Sequence, residues 1–587
     1  MQPLISYLEN KVEAALSKAF KNELSSDDKK ADVAICMQQE HGHYQCNNAL
    51  KLAKRFGKSP RKVAEEIVAN LDLFSEAGGK VIDQISIAGP GFINFTLNSD
   101  FLSQRLQKLF SEENLGIEPV KEKKKIIIEF SSPNIAKELH VGHLRSTIIG
   151  ESLARLFEFL GYDVLRLNHI GDWGTQFGML IAYLRENKAN VLAGSEKADL
   201  SELMQWYKDA KKRFDEDTLF KKQSQLEVVQ LQQGKTDSLH AWKVICDISR
   251  KAFHEIYDLL DVSLVERGES FYNPQLPGLV KYLEEKNIVE ISDGAKCIYP
   301  SGFTNREGKP LPLMIQKSDG GFNYDTTDMA ALKHRIDVEK ADRIIVVVDA
   351  GQSLHFQLVF ASAQMAGFYD PKKVKIDHVA FGLVLGPDGK KFKTRAGTTE
   401  KLIDLLYGAV SHAEKIIDEK LPDFPEDEKK KLAKAIGINA VKYADLSCLR
   451  TKDYVFSYER MLRFEGNTAV FLMYSYVRIM GIKRKAKADI EKIQQNYKID
   501  LQHPSEISLG YHLLRFQEIL LLVVRDLLPN RLADYLYELA EKFNAFFRDC
   551  KVIGSDKENE RLLLCEITGN ILKKGLHILG IKTVDRM

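Results

Sequence analysis

Residues 131–143 read Ser131-Ser132-Pro133-Asn134-Ile135-Ala136-Lys137-Glu138-Leu139-His140-Val141-Gly142-His143, between a short apolar run at 126–130 and a segment of helical period. That order delivers polar side chains to the C-terminal edge of a parallel strand just where a helix begins, the place where open α/β sheets bind ligands. The free N–H groups and positive end of a helix attract phosphate, and Gly142 lets a ligand approach the first turn closely. His140 and His143 are three residues apart, so both can face that turn and donate to phosphate oxygens. The chemistry expected is the holding of a nucleoside triphosphate, with Lys137 as an added cation. Two histidines that merely cap and pack a helix start are the plain alternative; the strand before, the helix after and the upstream lysine favour the phosphate site.

A second cationic stretch, Gly386-Pro387-Asp388-Gly389-Lys390-Lys391-Phe392-Lys393-Thr394-Arg395-Ala396-Gly397, follows an apolar run at 379–385. Glycines on both sides of Lys390, Lys391, Lys393 and Arg395 make an adaptable basic arm. A solvated basic turn is the usual reading of such a cluster. If the loop leaves the same sheet edge as the histidines, the two together can stabilise charge growing on a departing pyrophosphate.

These groups need a sheet to position them. Apolar runs at 126–130 and 164–167 flank a helical segment over 141–160, a βαβ unit, and runs at 344–348 and 379–385 extend the same parallel sheet. Residues 1–118 begin with helical period and then alternate as strands over 81–87 and 92–97 around Gly89-Pro90-Gly91. Between about 185 and 301 the chain is charged and helical, with Trp242, Phe253, Tyr257 and Leu260 spaced along one face. From 401 onward helical period dominates. The expected architecture is an α/β Rossmann-like parallel-sheet catalytic domain over 119–400 with a helical insertion at about 185–301, an N-terminal α+β domain over 1–118 and a C-terminal all-α helix bundle over 401–587.

At 587 residues the chain is too long for one ordinary core. A formal net charge of +2 gives no global pull toward polyanions, so any nucleic-acid surface must be a local patch. Seven scattered cysteines without a Cys-x-x-Cys pair suggest neither zinc site nor disulfide framework. No run of eighteen apolar residues occurs, and Glu9 and Glu13 argue against a targeting leader. These features point to a reduced, cytoplasmic protein without a membrane partner, taken here as a monomer without a resident metal.

The His-x-Gly-His element and the downstream lysine loop resemble class I aminoacyl-tRNA synthetases. The stretches 129–145, His169-Ile170-Gly171-Asp172-Trp173-Gly174-Thr175-Gln176-Phe177-Gly178, 324–329, 381–397 and 575–587 are more closely similar to the arginyl-tRNA synthetase family, over essentially the whole chain. Thr394 stands where the class pattern has its second lysine; in the family the lysine upstream of the histidines is thought to substitute, here Lys137. The resemblance implies activation of arginine with ATP and Mg²⁺ and its transfer to tRNA. His140, Gly142, His143, Lys137, Lys391 and Lys393 would hold the nucleotide.

Choosing arginine over lysine calls for a carboxylate that accepts the planar guanidinium fork in two hydrogen bonds. Tyr324 and Asp328, four apart at a helix start, can face one pocket. By resemblance Asp328 binds the guanidinium, Tyr324 packs along its stem, and Ser132, Pro133, Asn134, His143 and Gln352 surround the other end of the amino acid; Glu129 and Glu269 are further acidic candidates. A site built this way rejects analogues without the fork by about 10⁴–10⁵, which leaves no need for an editing domain.

For tRNA, the resemblance points to Phe92 and Asn94 in the N-terminal domain, with a buried hairpin turn as the equal alternative. In the bundle, aromatic and basic residues that can stack unpaired bases are Tyr474, Tyr476 and Arg478 on one helix and Phe546 and Phe547 on another, and the resemblance implies that the C-terminal Met587 lies near the anticodon loop. Aromatics at helical spacing are more often core. The rival readings are a synthetase of the same class for another amino acid, a nucleotidyltransferase of this fold that acts without RNA, and a non-catalytic RNA-binding relative.

Overall fold

The computed structural model describes residues 1–36, 38–386, 388–390 and 400–587. In the N-terminal unit, helix Leu4–Phe20 buries Leu4, Leu8, Val12 and Leu16, a stripe at four-residue spacing. It lies with helices Asn48–Phe56, Pro60–Ala69 and Ser99–Ser111 beside an antiparallel sheet of β1 (Val33–Ile35), β2 (Tyr44–Cys46), β3 (Ile82–Ala88) and β4 (Phe92–Leu97), ordered β1-β2-β4-β3. The unit is docked on the C-terminal bundle through buried Glu518, which accepts the Ile5 N–H at 2.7 Å and the Tyr44 hydroxyl at 2.8 Å.

The central sheet begins with β5 (Lys125–Glu129), β6 (Asp163–Asn168) and β7 (Val265–Glu266). A separate antiparallel sheet of β8 (Glu290–Ser292), β9 (Ala295–Ile298) and β10 (Leu313–Gln316) follows, and β11 (Arg343–Val346) and β12 (Lys375–His378) complete the central one, in parallel order β12-β11-β5-β6-β7. Pleating sends Ile126 and Ile128 into one core and Ile127 into another, so both faces are covered. Helix Val141–Phe159 lies on the first face, and helices Tyr324–Asp337 and Ser353–Met365 on the second. Gly150 is the close-approach point: a Cβ there would stand 2.2 Å from the Phe130 ring.

Two parts of the sequence reading change. The span 185–301 is not purely helical, since β7 returns to the central sheet and β8 and β9 lie within it. Only the start of the run at 379–385 follows the sheet, with Val379 N–H on Val346 O and Phe381 bridging Asp349 in parallel. The edge strand ends at His378, and β13 (Val384–Leu385) instead pairs in parallel with β14 (Tyr454–Val455). Around it the C-terminal region takes over: Arg450 donates to the Ala380 carbonyl, Gly382 N–H to Arg450 O, and Leu383 N–H to Asp453.

Arg145 closes this seam. Its side chain and that of Asp445 are both 0% exposed, with Nε 3.0 Å from Oδ2. Its Nη1 donates to Gly382 O and Lys452 O, and the guanidinium lies over the rings of Phe381 and Tyr454. The C-terminal helices run from Leu402–Lys420 to Glu558–Ile578. Within them Pro504–Asp526 has the length and hydropathy of a membrane span, but 67% of it is buried inside the protein, and Glu506 there is paired with Arg561.

Removing one member of a fully buried ion pair leaves an uncompensated charge. Arg145→Met is expected to lower the free energy of urea unfolding by about 3–5 kcal/mol, while Lys108→Met, on the surface, shifts it by less than about 0.5 kcal/mol.

Candidate active site

The loop from β5 to helix Val141–Phe159 carries an unusual backbone. Ser131, Ser132 and Ala136 all have positive φ, at 70°, 47° and 58°. Non-glycine residues hold such conformations only where their surroundings over-determine them, at about 1–3 kcal/mol each. Here Ser131 N–H donates to Ser146 Oγ at 2.9 Å, and Ser132 N–H donates to Asn168 Oδ1 at 2.9 Å. Ala136 N–H reaches Ser249 Oγ at 3.1 Å, and the Tyr257 hydroxyl lies 2.8 Å from Ser131 Oγ. Tyr257, read from sequence only as one position of a helix face, thus braces the loop. Pro133 is buried, and its carbonyl accepts the Gly171 N–H.

The histidines do both jobs considered for them. His140 is the N-cap and its Nδ1 accepts the Gly142 N–H at 3.0 Å; His143 Nδ1 accepts the His140 N–H at 3.1 Å, forming a reciprocal capping box. With both Nδ1 atoms accepting, a neutral ring carries its proton on Nε2. Burial, the neighbouring His140 and Lys137 push the His143 pKa down to about 3, so the ring is neutral at working pH. Lys137 is exposed and forms no ion pair with a described carboxylate.

A cavity of about 400 Å³ opens at this turn, lined among others by Ser132, Asn134, His140, Gly142, His143 and Gln352 and by the 381–384 segment. The basic arm is rooted beside it at both ends: Val384 lines the cavity, and after the arm Leu402 N–H bonds Leu139 O while Lys401 bridges His140. Lys391 and Lys393 themselves lie outside the described residues.

Next to this cavity stands an acidic cluster. Helix Tyr324–Asp337 starts at Asn323, whose side chain caps Thr326 N–H, and carries Asp325 and Asp328 toward His355. His355 Nε2 is 2.6 Å from Asp328 Oδ2 and Nδ1 is 3.2 Å from Asp325 Oδ1. Burial alone would lower the His355 pKa, but the two carboxylates outweigh it and raise it to about 9, so the ring is an imidazolium at neutral pH. The other oxygen of Asp328 faces His169 Nε2 at 3.8 Å, and His169 N–H bonds Ser132 Oγ, which joins cluster to cavity. Glu269 completes the cluster: burial first, then Asp328 and Asp172, push its pKa up to about 8. Tyr324 is 60% exposed, with its ring 5.0 Å from His355. Glu129 is engaged elsewhere, 2.6 Å from Arg335 in a buried pair.

The sequence reading missed His355, Asp325 and His169. Their signal was present: Asp325 and Asp328 share the helix start with Tyr324, and His355 stands three residues beyond Gln352.

Of the residues assigned to RNA, some are placed otherwise. Asn94 is 2% exposed within β4, its Oδ1 accepting Gln45 Nε2, and Phe92 is half-buried at the strand's start. Tyr476 and Phe546 are core, because the bundle needs apolar faces at those helical positions. Tyr474 and Phe547 remain exposed, and the Arg478 guanidinium lies between them, 4.9 Å and 5.8 Å from the two ring centroids. Met587 packs partly against the same bundle.

Family models match three consecutive parts of the chain: "Arginyl tRNA synthetase N terminal domain" over 6–97, "tRNA synthetases class I (R), catalytic domain" over 105–458 and "DALR anticodon binding domain" over 472–587. An arginine–tRNA ligase of Protochlamydia amoebophila is 58% identical, with all of both chains covered, and one of Trichodesmium erythraeum 49% identical, likewise over both whole chains. The solved arginyl-tRNA synthetase of Plasmodium falciparum superposes with a TM-score of 0.88 at 34% identity, covering both chains fully. That of Thermus thermophilus shares the fold, at TM-score 0.80 and 24% identity over both chains. With its strained nucleotide loop, its acidic cluster and these full-length likenesses, the chain belongs to the arginyl-tRNA synthetase family.

Proposed function

We infer that the chain activates L-arginine with ATP to arginyl-adenylate and then esterifies the 3′ end of the arginine tRNA, releasing pyrophosphate and AMP. The observation that carries the choice of amino acid is the acidic cluster joined through His169 and Ser132 to the nucleotide cavity. Asp325 and Asp328 bring two negative charges against one imidazolium, and Glu269 stands ready to ionise, so a guanidinium finds carboxylate acceptors that no neutral side chain could satisfy.

The arginine carboxylate attacks the α-phosphorus of ATP and pyrophosphate leaves with the bonding electron pair. His140 and His143, as neutral Nε2–H donors at the N-terminus of helix Val141–Phe159, and Lys137 at its mouth, stabilise the charge gathering on the phosphates. Asn134 and Gln352, which line the same cavity, orient the α-amino and carboxylate end. A terminal ribose hydroxyl of tRNA then attacks the adenylate carbonyl and AMP leaves. No side chain need act as a nucleophile. Mg²⁺ held by the nucleotide's own phosphates would neutralise part of the charge on the leaving pyrophosphate.

The bundle is the anticodon reader, and the Tyr474–Arg478–Phe547 stack its base platform. The reading also places the enzyme in the cytoplasm as a monomer without a membrane partner, in keeping with seven free cysteines.

Asp328→Asn is expected to leave ATP binding within about twofold while arginine-dependent pyrophosphate exchange falls by about 10²-fold or more, the loss of a charged, bidentate acceptor; normal exchange would make Asp328 structural. Glu269, with its pKa raised to about 8, is protonated at pH 7 and ionises when a cation binds. Its raised pKa means that the cost of ionising it is paid below pH 8 and vanishes above. Arginine affinity therefore rises with pH up to about 8 and then levels, with proton release seen as a buffer-dependent heat in calorimetry; Glu269→Gln flattens both. Truncating Tyr474 or Phe547 to Ala is expected to raise KM for tRNA by roughly 5- to 150-fold, a stacking contribution of about 1–3 kcal/mol, without changing KM for ATP.

A further inference from the structure

The lysine run that introduces β5 plays no part in the chemistry above, yet the fold gives it company. Lys124, Lys372, Lys373 and Lys375 line a cavity of about 220 Å³ together with Arg343, Tyr162 and Phe157. Five cations surround it against one carboxylate, Asp342, and that carboxylate already accepts the Lys125 N–H at 2.7 Å. The cavity sits where β5, β11 and β12 begin. The nucleotide cavity sits where they end, roughly 15 Å away along a five-residue strand.

Lysines on a surface are usually solvated or paired. Here Lys124, Lys372 and Lys373 are exposed and ion-pair with no carboxylate among the described residues, while Lys375 is 3.2 Å from Asp377 and Lys125 3.0 Å from Asp163. Arg343 is more telling. Its Nε binds Asp377 at 2.7 Å and its Nη1 donates to Val524 O at 3.0 Å, but Nη2 is buried without a hydrogen-bond partner among the described residues. A buried guanidinium donor without a partner beside a cavity rimmed by three lysines that have no ion pair among the described residues calls for an anion with several acceptor oxygens. Lys121 and Lys123, exposed on the approach to β5, extend the positive surface beyond what one small ion would need.

We propose that this cleft, at the opposite edge of the sheet from the nucleotide cavity, binds a phosphate group, supplied either by the backbone of RNA or by free phosphate. The phosphate chemistry stands apart from the arginine reading; only the RNA source rests on it.

Acylation of lysines with an amine-reactive reagent, read by mass spectrometry on the full chain, tests this. Total tRNA and inorganic phosphate are the two probes. If RNA is the source, tRNA protects Lys124, Lys372 and Lys373 severalfold at low salt, and the triple variant Lys124→Gln, Lys372→Gln, Lys373→Gln lowers the slope of log affinity for tRNA against log salt by roughly 0.9 per lost contact. KM for ATP and arginine stays unchanged, which separates this outcome from failure of the arginine reading. If free phosphate is the source, inorganic phosphate protects the three lysines, tRNA does not, and the salt slope is unaltered. Equal acylation with and without both probes overturns the site.

Discussion

The site depends on a turn that the backbone resists. Between β5 and helix Val141–Phe159, Ser131, Ser132 and Ala136 take left-handed conformations, and no glycine among them relieves the strain. At about 1–3 kcal/mol each, the turn exists because hydrogen bonds to Ser146, Asn168, Ser249 and Tyr257 fix it from two helices and a strand. That explains why residues 185–301 cannot be a detachable appendage. Helix Thr236–Leu260 supplies both Ser249 and Tyr257, so its packing sets the loop that presents His140, His143 and Asn134 to the cavity.

Electrostatics divides the site into two halves, the cavity and the acidic cluster beside it. One is a donor field: a helix N-terminus, two histidines whose Nδ1 atoms cap it, His143 held neutral by burial, and Lys137, without an ion pair among the described residues. The other is acidic, with Asp325 and Asp328 gripping an imidazolium and Glu269 forced to keep its proton. The first half suits a triphosphate and the second a guanidinium, and His169 and Ser132 couple them through the strained turn. The arm bearing Lys391 and Lys393 is rooted between the two domains, since β13 pairs with β14 and Arg145 locks Gly382 to Asp445. The C-terminal region thereby holds one root of that arm.

Much of this was legible from residue order. The βαβ unit followed from apolar runs bounding a helical period, and the His140–His143 turn from the polar run between them. The acidic helix start followed from Tyr324 and Asp328. What escaped has physical causes. The run at 379–385 has the composition of a buried strand, but from Gly382 on its hydrogen-bond partners include residues 450–456, and no local pattern announces a partner some seventy residues away. His355 carries its charge only because folding sets it between two carboxylates. Tyr476 and Phe546 differ from Tyr474 and Phe547 in which helix face meets the core, a matter of packing that aromatic spacing alone leaves open.

The central claim is that the acidic cluster reads a charge and a shape together. Pyrophosphate exchange with citrulline, which replaces the guanidinium by a neutral urea of nearly the same outline, tests it most directly when run beside arginine with tRNA present. The account predicts that arginine exceeds citrulline by roughly 10⁴–10⁵ in kcat/KM, since the carboxylates are left without their cation. Activation of citrulline within tenfold of arginine would contradict it.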